Sequence, residues 1–272
     1  MKLYDTHFHF SGETTPAEYM NLVGADLERA CAKARVEIPE LYLTAVGGDY
    51  LESVRAREFA SVTPHCFFAA GEHPHGAAGY LAERRDFSVF RDDPRLVAVG
   101  ELGLDYYYDL SDRSAQRQVF AEFLELALEW DRPAIVHLRD RDGAEDAYRD
   151  GWEVLAPFAR RGGRFVVHCY AGSGEYMDKF VRLGAYVGVT GMATFRAAEN
   201  IRANLAAIPD DRLLIETDSP YLAPVPFRGG ANTPGLLPLV AAEAARVRGT
   251  TVEALAELTW RNALEFYRID GA

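Results

Sequence analysis

Short apolar runs alternate with longer amphipathic stretches from one end of the chain to the other. The runs read as strands at Lys2–Asp5, Leu41–Ala45, His65–Ala70, Leu96–Gly100, Ala134–Val136, Arg164–Val167, Tyr186–Val189 and Leu213–Glu216. Each is rich in Val, Ile, Leu, Phe or Tyr with little polar alternation, which implies burial on both faces, as in a parallel sheet covered by helices. Between the fourth and fifth runs, Val119, Phe120, Phe123, Leu124, Ala127 and Trp130 recur at three- and four-residue steps, while Glu122, Glu125 and Glu129 take another face. Ser111 and Asp112 offer N-cap chemistry upstream of that helix, and Pro133 stops it. Thr14–Thr15 followed by Pro16 reads as a cap with proline in the first turn. Two more helices, Leu236–Arg248 and Val252–Tyr267, end the pattern. Eight βα units without a linker-like segment predict one α/β domain over residues 1–272, a single (β/α)8 TIM-type barrel with an extra C-terminal helix. A doubly wound open sheet is the alternative.

The 272 residues are 49% hydrophobic and 26% charged, which excludes a disordered chain and allows a large core. The net charge of −12 is a poor match to stable duplex-DNA binding, though it permits brief contact with a nucleic-acid end at a metal site. The opening MKLYDTHFHF has no secretory pattern, and no apolar run approaches the roughly 20 residues that span a bilayer. Three widely spaced cysteines (Cys31, Cys66, Cys169) without a CxxC pair favour a reducing compartment over a disulfide framework or structural zinc knot. A cytoplasmic protein with no membrane contact and no obligate protein partner is therefore expected.

The informative feature is where the polar residues fall. His7 and His9 follow the first strand, His73 the third, Glu101 the fourth, His137 the fifth, His168 the sixth and Asp218 the eighth. The C-terminal ends of barrel strands converge on one rim, so residues remote in sequence face one another there. Alone, each has an ordinary reading: a surface or hydrogen-bonded histidine, a solvated carboxylate, a helix cap. Together they predict a metal centre. One catalytic zinc needs about three protein ligands plus water. Four imidazoles and two carboxylates can serve two ions about 3.5–4 Å apart, with one carboxylate bridging. The mixed donor set leaves Mg, Mn and Zn open. A hydroxide held there is the expected nucleophile, with Asp218 both a ligand and the acceptor of its proton.

The segments DTHFHF, AAGEHPH, VAVGELGLDYYYD, PAIVHLRD, VVHCYAG, LLIETDSPYLAP and RGGANTP, in that order and spacing, resemble the TatD-type metal-dependent hydrolases, a branch of the amidohydrolase-like barrels. The resemblance covers nearly the whole chain. It implies a dinuclear nuclease or phosphodiesterase that removes nucleotides from single-stranded DNA or RNA ends. By matching position, His7, His9 and Asp218 resemble ligands of one ion, His137 and His168 ligands of a second, and Glu101 the carboxylate bridging both. His73 resembles a catalytic contributor touching the scissile phosphate or leaving oxygen.

Arg139 and Arg228 are candidate phosphate contacts, and Tyr106, with Tyr107 and Tyr108, a candidate base-stacking residue, although three adjacent tyrosines cannot all face one pocket. Departures from the family pattern bear on substrate. Gly230 and Ala231 stand where basic residues are common, Glu72 where an apolar residue is usual, and Arg141 where a small one is. A two-metal hydrolase of a small-molecule amide, lactone or phosphoester on the same barrel is the alternative function, and a catalytically silent metal-dependent binding protein a third.

Overall fold

The computed structural model describes residues 1–269. Eight strands, β1 (Lys2–Phe8), β2 (Glu40–Val46), β3 (Cys66–Ala70), β4 (Leu96–Asp105), β5 (Ala134–Arg139), β6 (Phe165–Val167), β7 (Tyr186–Val189) and β8 (Leu213–Ile215), form one parallel sheet in sequence order. A parallel bridge between Phe8 and Ser219 returns the chain after β8 to β1, with His9 N–H donating to the Ser219 carbonyl at 2.7 Å. The ring thereby closes as a (β/α)8 barrel. Helices α1 (Pro16–Ala34), α2 (Tyr50–Val62), α3 (Ala77–Ala82), α4 (Arg113–Glu129), α5 (Asp146–Arg160), α6 (Gly174–Arg182), α7 (Glu199–Ala207), α8 (Leu237–Arg248) and α9 (Val252–Tyr267) complete it. No helix among the described residues is long and apolar enough to cross a membrane.

Alternate strand residues enter two buried layers, as the pleat requires. Leu3, Leu43, Phe68, Val136 and Ile215 pack outward against the helices, while Tyr4, Tyr42, Ala69, Ile135 and Leu214 join a second cluster that includes Trp260, Phe266 and Tyr267 of α9. The extra C-terminal helix thus closes the N-terminal mouth of the barrel, where Tyr267 donates from its hydroxyl to the Thr6 carbonyl at 2.7 Å.

Local chemistry sets the helix starts. Thr15 and Glu18 form a capping box ahead of α1, with Pro16 in the first turn. α4 begins one residue after Asp112 as expected, but by another route: Asp112 makes no capping hydrogen bond, and the Ser111 hydroxyl instead donates to the His75 carbonyl and accepts from Ala78 N–H.

Three strands run three or more residues further than their apolar runs, β1 to Phe8, β4 to Asp105 and β5 to Arg139. Register shifts between Asp5 and Phe8, and between Val99 and Leu102, let pairing continue past polar residues. His7, Glu101 and His137 are accordingly strand residues rather than loop residues. β4 and β5 approach so closely that a Cβ on Gly103 (φ 146) would collide with the His137 carbonyl oxygen.

Candidate metal centre

The strand ends bring His7, His9, Glu101, His137, His168 and Asp218 into one cluster around the Glu101 carboxylate, which is only 3% exposed. The two oxygens of that carboxylate face different partners. Oε2 lies 3.5 Å from His7 Nε2 and 3.6 Å from His9 Nε2, and the same two nitrogens stand 3.7 and 3.5 Å from Asp218 Oδ1. Oε1 lies 2.6 Å from His168 Nε2 and 2.9 Å from His137 Nδ1. Atoms that ligate one ion at about 2.1 Å stand roughly 3.0–3.4 Å apart, and the two sets, at 2.6–3.7 Å, scatter to either side of that spacing.

Hydrogen bonds at the far side of the rings decide which nitrogens carry lone pairs. His9 Nδ1 meets the Val46 carbonyl at 3.0 Å, and a carbonyl only accepts, so the neutral ring aims a bare Nε2 at Glu101 and Asp218. His137 Nε2 meets Asp105 Oδ2 at 3.2 Å, which leaves Nδ1 bare towards Glu101 and His168. His168 Nδ1 is turned to Glu216 Oε1 at 3.6 Å. Lone pairs converging on carboxylates repel unless positive charge lies between them. This donor set fits divalent cations.

His73 differs. Its Nδ1 accepts the His75 backbone N–H at 3.2 Å, so the proton resides on Nε2, which points to Glu101 Oε1 at 3.8 Å. Burial drives its pKa well below the usual imidazole value, so it is a neutral N–H donor at the edge of the cluster.

The titrations of the other groups show the same imbalance of charge. Burial opposes protonation of His9, yet its hydrogen bond with Asp218 and the charge of Glu101 hold it up to about 9. Burial likewise opposes ionisation of Glu101, and the charge of His168, with the hydrogen bonds of His137 and His168, overcomes it and keeps the carboxyl well below its ordinary range. Asp218 is also lowered, its hydrogen bond with His9 outweighing burial.

Three residues that sequence reasoning passed over support the cluster. Asp105, 1% exposed, accepts from Tyr107 and Tyr108 N–H on Oδ1 at 3.0 and 2.8 Å, while Oδ2 meets the Nε2 atoms of His75 at 3.0 Å and His137 at 3.2 Å. Glu216, also 1% exposed, accepts from Cys169 N–H and Thr6 Oγ1, and a Cβ on Gly188 would occupy its place. His75, the second histidine of GEHPH, packs edge-on against His73 with ring centres 4.3 Å apart. In sequence, Asp105 and Glu216 look like carboxylates that cap or border a strand; only the pairing of β4 with β5, and of β7 with β8, turns them to the imidazoles.

Among the expected substrate residues, Tyr106 is misplaced. It is fully buried, its hydroxyl donates to Asp150 at 2.9 Å, and Arg113 covers its ring, so it packs below the rim and cannot stack on a ligand. Tyr107 and Tyr108 are the exposed members of the triplet. Arg139 pairs with neither Asp140 nor Asp142; its guanidinium lies over Tyr107 and Tyr108, 4.3 and 4.9 Å from the ring centres. Arg228 lies over Phe195 at 4.2 Å. Among the described residues neither arginine is in a salt bridge. Glu72 is buried at the neighbouring rim, where burial and then the charges of Asp49 and Glu52 push it up to about 8.

The sequence profile of the family described as TatD related DNase matches residues 4–268. The chain belongs to that family. A relative from Bacillus subtilis, the uncharacterized metal-dependent hydrolase YabD, is 34% identical over 98% of this chain and 100% of its own length. The 3'-5' ssDNA/RNA exonuclease TatD of Citrobacter rodentium is 34% identical over 84% of this chain and 86% of its own. The crystal structure of the TatD homolog YJJV from Escherichia coli K12 superposes with a TM-score of 0.80 at 27% identity, covering 98% of each chain. This chain is thus a metal-dependent hydrolase of the TatD family on a TIM-type barrel.

Proposed function

We propose that this hydrolase is a two-metal phosphodiesterase that removes nucleotides from the ends of single-stranded DNA or RNA. The observation that carries the reading is the Glu101 carboxylate, whose oxygens are divided between two donor sets. His7, His9 and Asp218 would hold one divalent ion, His137 and His168 the other, and Glu101 both. Mg, Mn and Zn all suit this mixture of imidazole and carboxylate. Such ions lower the pKa of water and neutralise charge on phosphoryl oxygens.

The chain's own residues supply the rest. The Asp218 carboxylate, with its side chain 13% exposed, stands at the open edge of the cluster and takes up the proton of the attacking water. His73 offers its Nε2–H to a phosphoryl or leaving oxygen. Arg139, without a carboxylate partner among the described residues, can meet a phosphate bidentately, with Arg228 a second cation. The relatives named as ssDNA/RNA exonucleases support the choice of substrate class.

The test is a hydrolysis panel of single-stranded DNA, RNA and small phosphoesters with Mg, Mn and Zn in parallel. Progressive shortening of labelled strands that stops in chelator is expected. Hydrolysis of small esters with every oligonucleotide left intact would transfer the site to small-molecule chemistry.

A further inference from the structure

The barrel mouth carries two aromatic surfaces outside the ion-binding cluster, on opposite sides of it. Tyr221 follows β8 at the seam with β1; it is 63% exposed, and its ring stands edge-on to His9 with centres 6.2 Å apart. Tyr107 and Tyr108 follow β4 beside β5 and are 42% and 52% exposed. In a ring of eight strands the β8–β1 seam and the β4–β5 pair are diametrically opposed, and the Glu101 cluster lies between them.

Both surfaces are exposed rings on fixed backbone. Tyr107 and Tyr108 are tied by their N–H groups to Asp105, and Tyr221 donates its N–H to the Asp218 carbonyl at 3.0 Å and accepts Asn232 Nδ2 at 2.7 Å. The Arg139 guanidinium extends the first surface, and contact runs from Tyr108 to His75 (5.6 Å between ring centres) and from His75 to His73 (4.3 Å), at the border of the cluster. Aromatic rings and guanidinium planes stack on any unpaired base, whatever its identity. In a chain of net charge −12, stacking is a means of holding a polyanion that does not depend on many cations.

Building on the nuclease reading, we propose that these surfaces are two stacking platforms for the bases on either side of the phosphodiester held at Glu101. Tyr107, Tyr108 and Arg139 receive one base and Tyr221 the other. The smallest good substrate is then a single-stranded dinucleotide unit with a base on both sides, and duplex ends are poor substrates because their bases are paired.

The test uses short thymidylate strands carrying 2-aminopurine, or an abasic residue, at the terminal or the penultimate position. Full-length protein with Mn supplies the kinetics, and chelated protein supplies binding by 2-aminopurine fluorescence. The parent should quench the probe at both positions. Tyr221→Leu should relieve quenching at one position and Tyr107→Leu with Tyr108→Leu at the other, while Tyr221→Phe keeps it. Each loss should raise KM about 5- to 100-fold, more than it lowers kcat. A strand lacking the matching base should lose as much with the parent as the intact strand loses with the variant, and the two changes together should cost no more. Cleavage of strands with quenching and KM unmoved by the Leu variants would overturn the platforms and leave the nuclease reading standing. Failure to bind or cut any strand would overturn both.

Discussion

The two ends of one sheet bury very different residues. At the N-terminal mouth, Tyr4, Tyr42, Trp260, Phe266 and Tyr267 pack ring on ring, with Trp260 4.3 Å from Tyr42. A few residues further along the same strands, His7, Glu101 and His168 are buried as deeply, at 0%, 3% and 3% exposure. The first end is stabilised by leaving water, about 25 cal/mol per Å² of apolar surface. The second buries carboxylates and imidazole lone pairs, which is costly unless charges are matched. The sheet that makes one end a core makes the other a cluster whose donors fit cations.

Substitutions should therefore have opposite signatures at the two ends. Glu101→Gln keeps the shape but removes the charge shared by both donor sets; turnover should fall a thousandfold or more, over about 4 kcal/mol, with circular dichroism unchanged. Retention of most activity would remove Glu101 from its assigned place. Trp260→Ala should do the reverse, lowering unfolding free energy by about 3–5 kcal/mol in urea titrations while kcat per folded molecule stays near the parent's.

Proton linkage separates the ends without mutation. His9 is raised to about 9 from an ordinary 6.5, so in metal-free protein its stabilisation is complete below pH 6.5 and is lost as pH rises through 9, by at most about 3 kcal/mol. Burial raises Asp5 to about 7 and Glu72 to about 8, and each likewise favours the fold less as pH climbs towards those values. Metal-free stability should therefore fall between pH 6.5 and 9. Saturating manganese should flatten the fall, since a cation then takes the place of the His9 proton. Urea titrations at several pH values, with and without chelator, check this, and metal-free stability that rises with pH would contradict it.

The smallest effect should come from behind the donor set. Asp105→Asn cannot accept from His75, His137 and two backbone N–H groups at once, so the bare Nδ1 of His137 is no longer enforced. Affinity for one of two bound ions should drop ten- to a hundredfold in calorimetric titration, with the other little changed. Equal weakening of both would show that Asp105 serves the cluster as a whole.

What the sequence disclosed follows from periodicity and position. Eight apolar runs and the polar residues that follow them were enough to place the barrel and to expect His7, His9, Glu101, His137, His168 and Asp218 at one rim. Strand ends were misjudged at β1, β4 and β5 because a register shift lets polar residues stay in the sheet, and polarity alone reads as the end of a strand. Tyr106 was the wrong choice among its neighbours, since which of three successive tyrosines packs inward depends on where β4 stops. Asp105 and Glu216 were passed over because a carboxylate's partner across the sheet is not written next to it in the chain.

Anomalous diffraction from crystals grown with manganese tests the bridging role of Glu101 most directly. Two peaks should flank its carboxylate about 3.5–4 Å apart, one beside His7, His9 and Asp218 and the other beside His137 and His168. A single peak, or peaks away from Glu101 at saturating manganese, would contradict it.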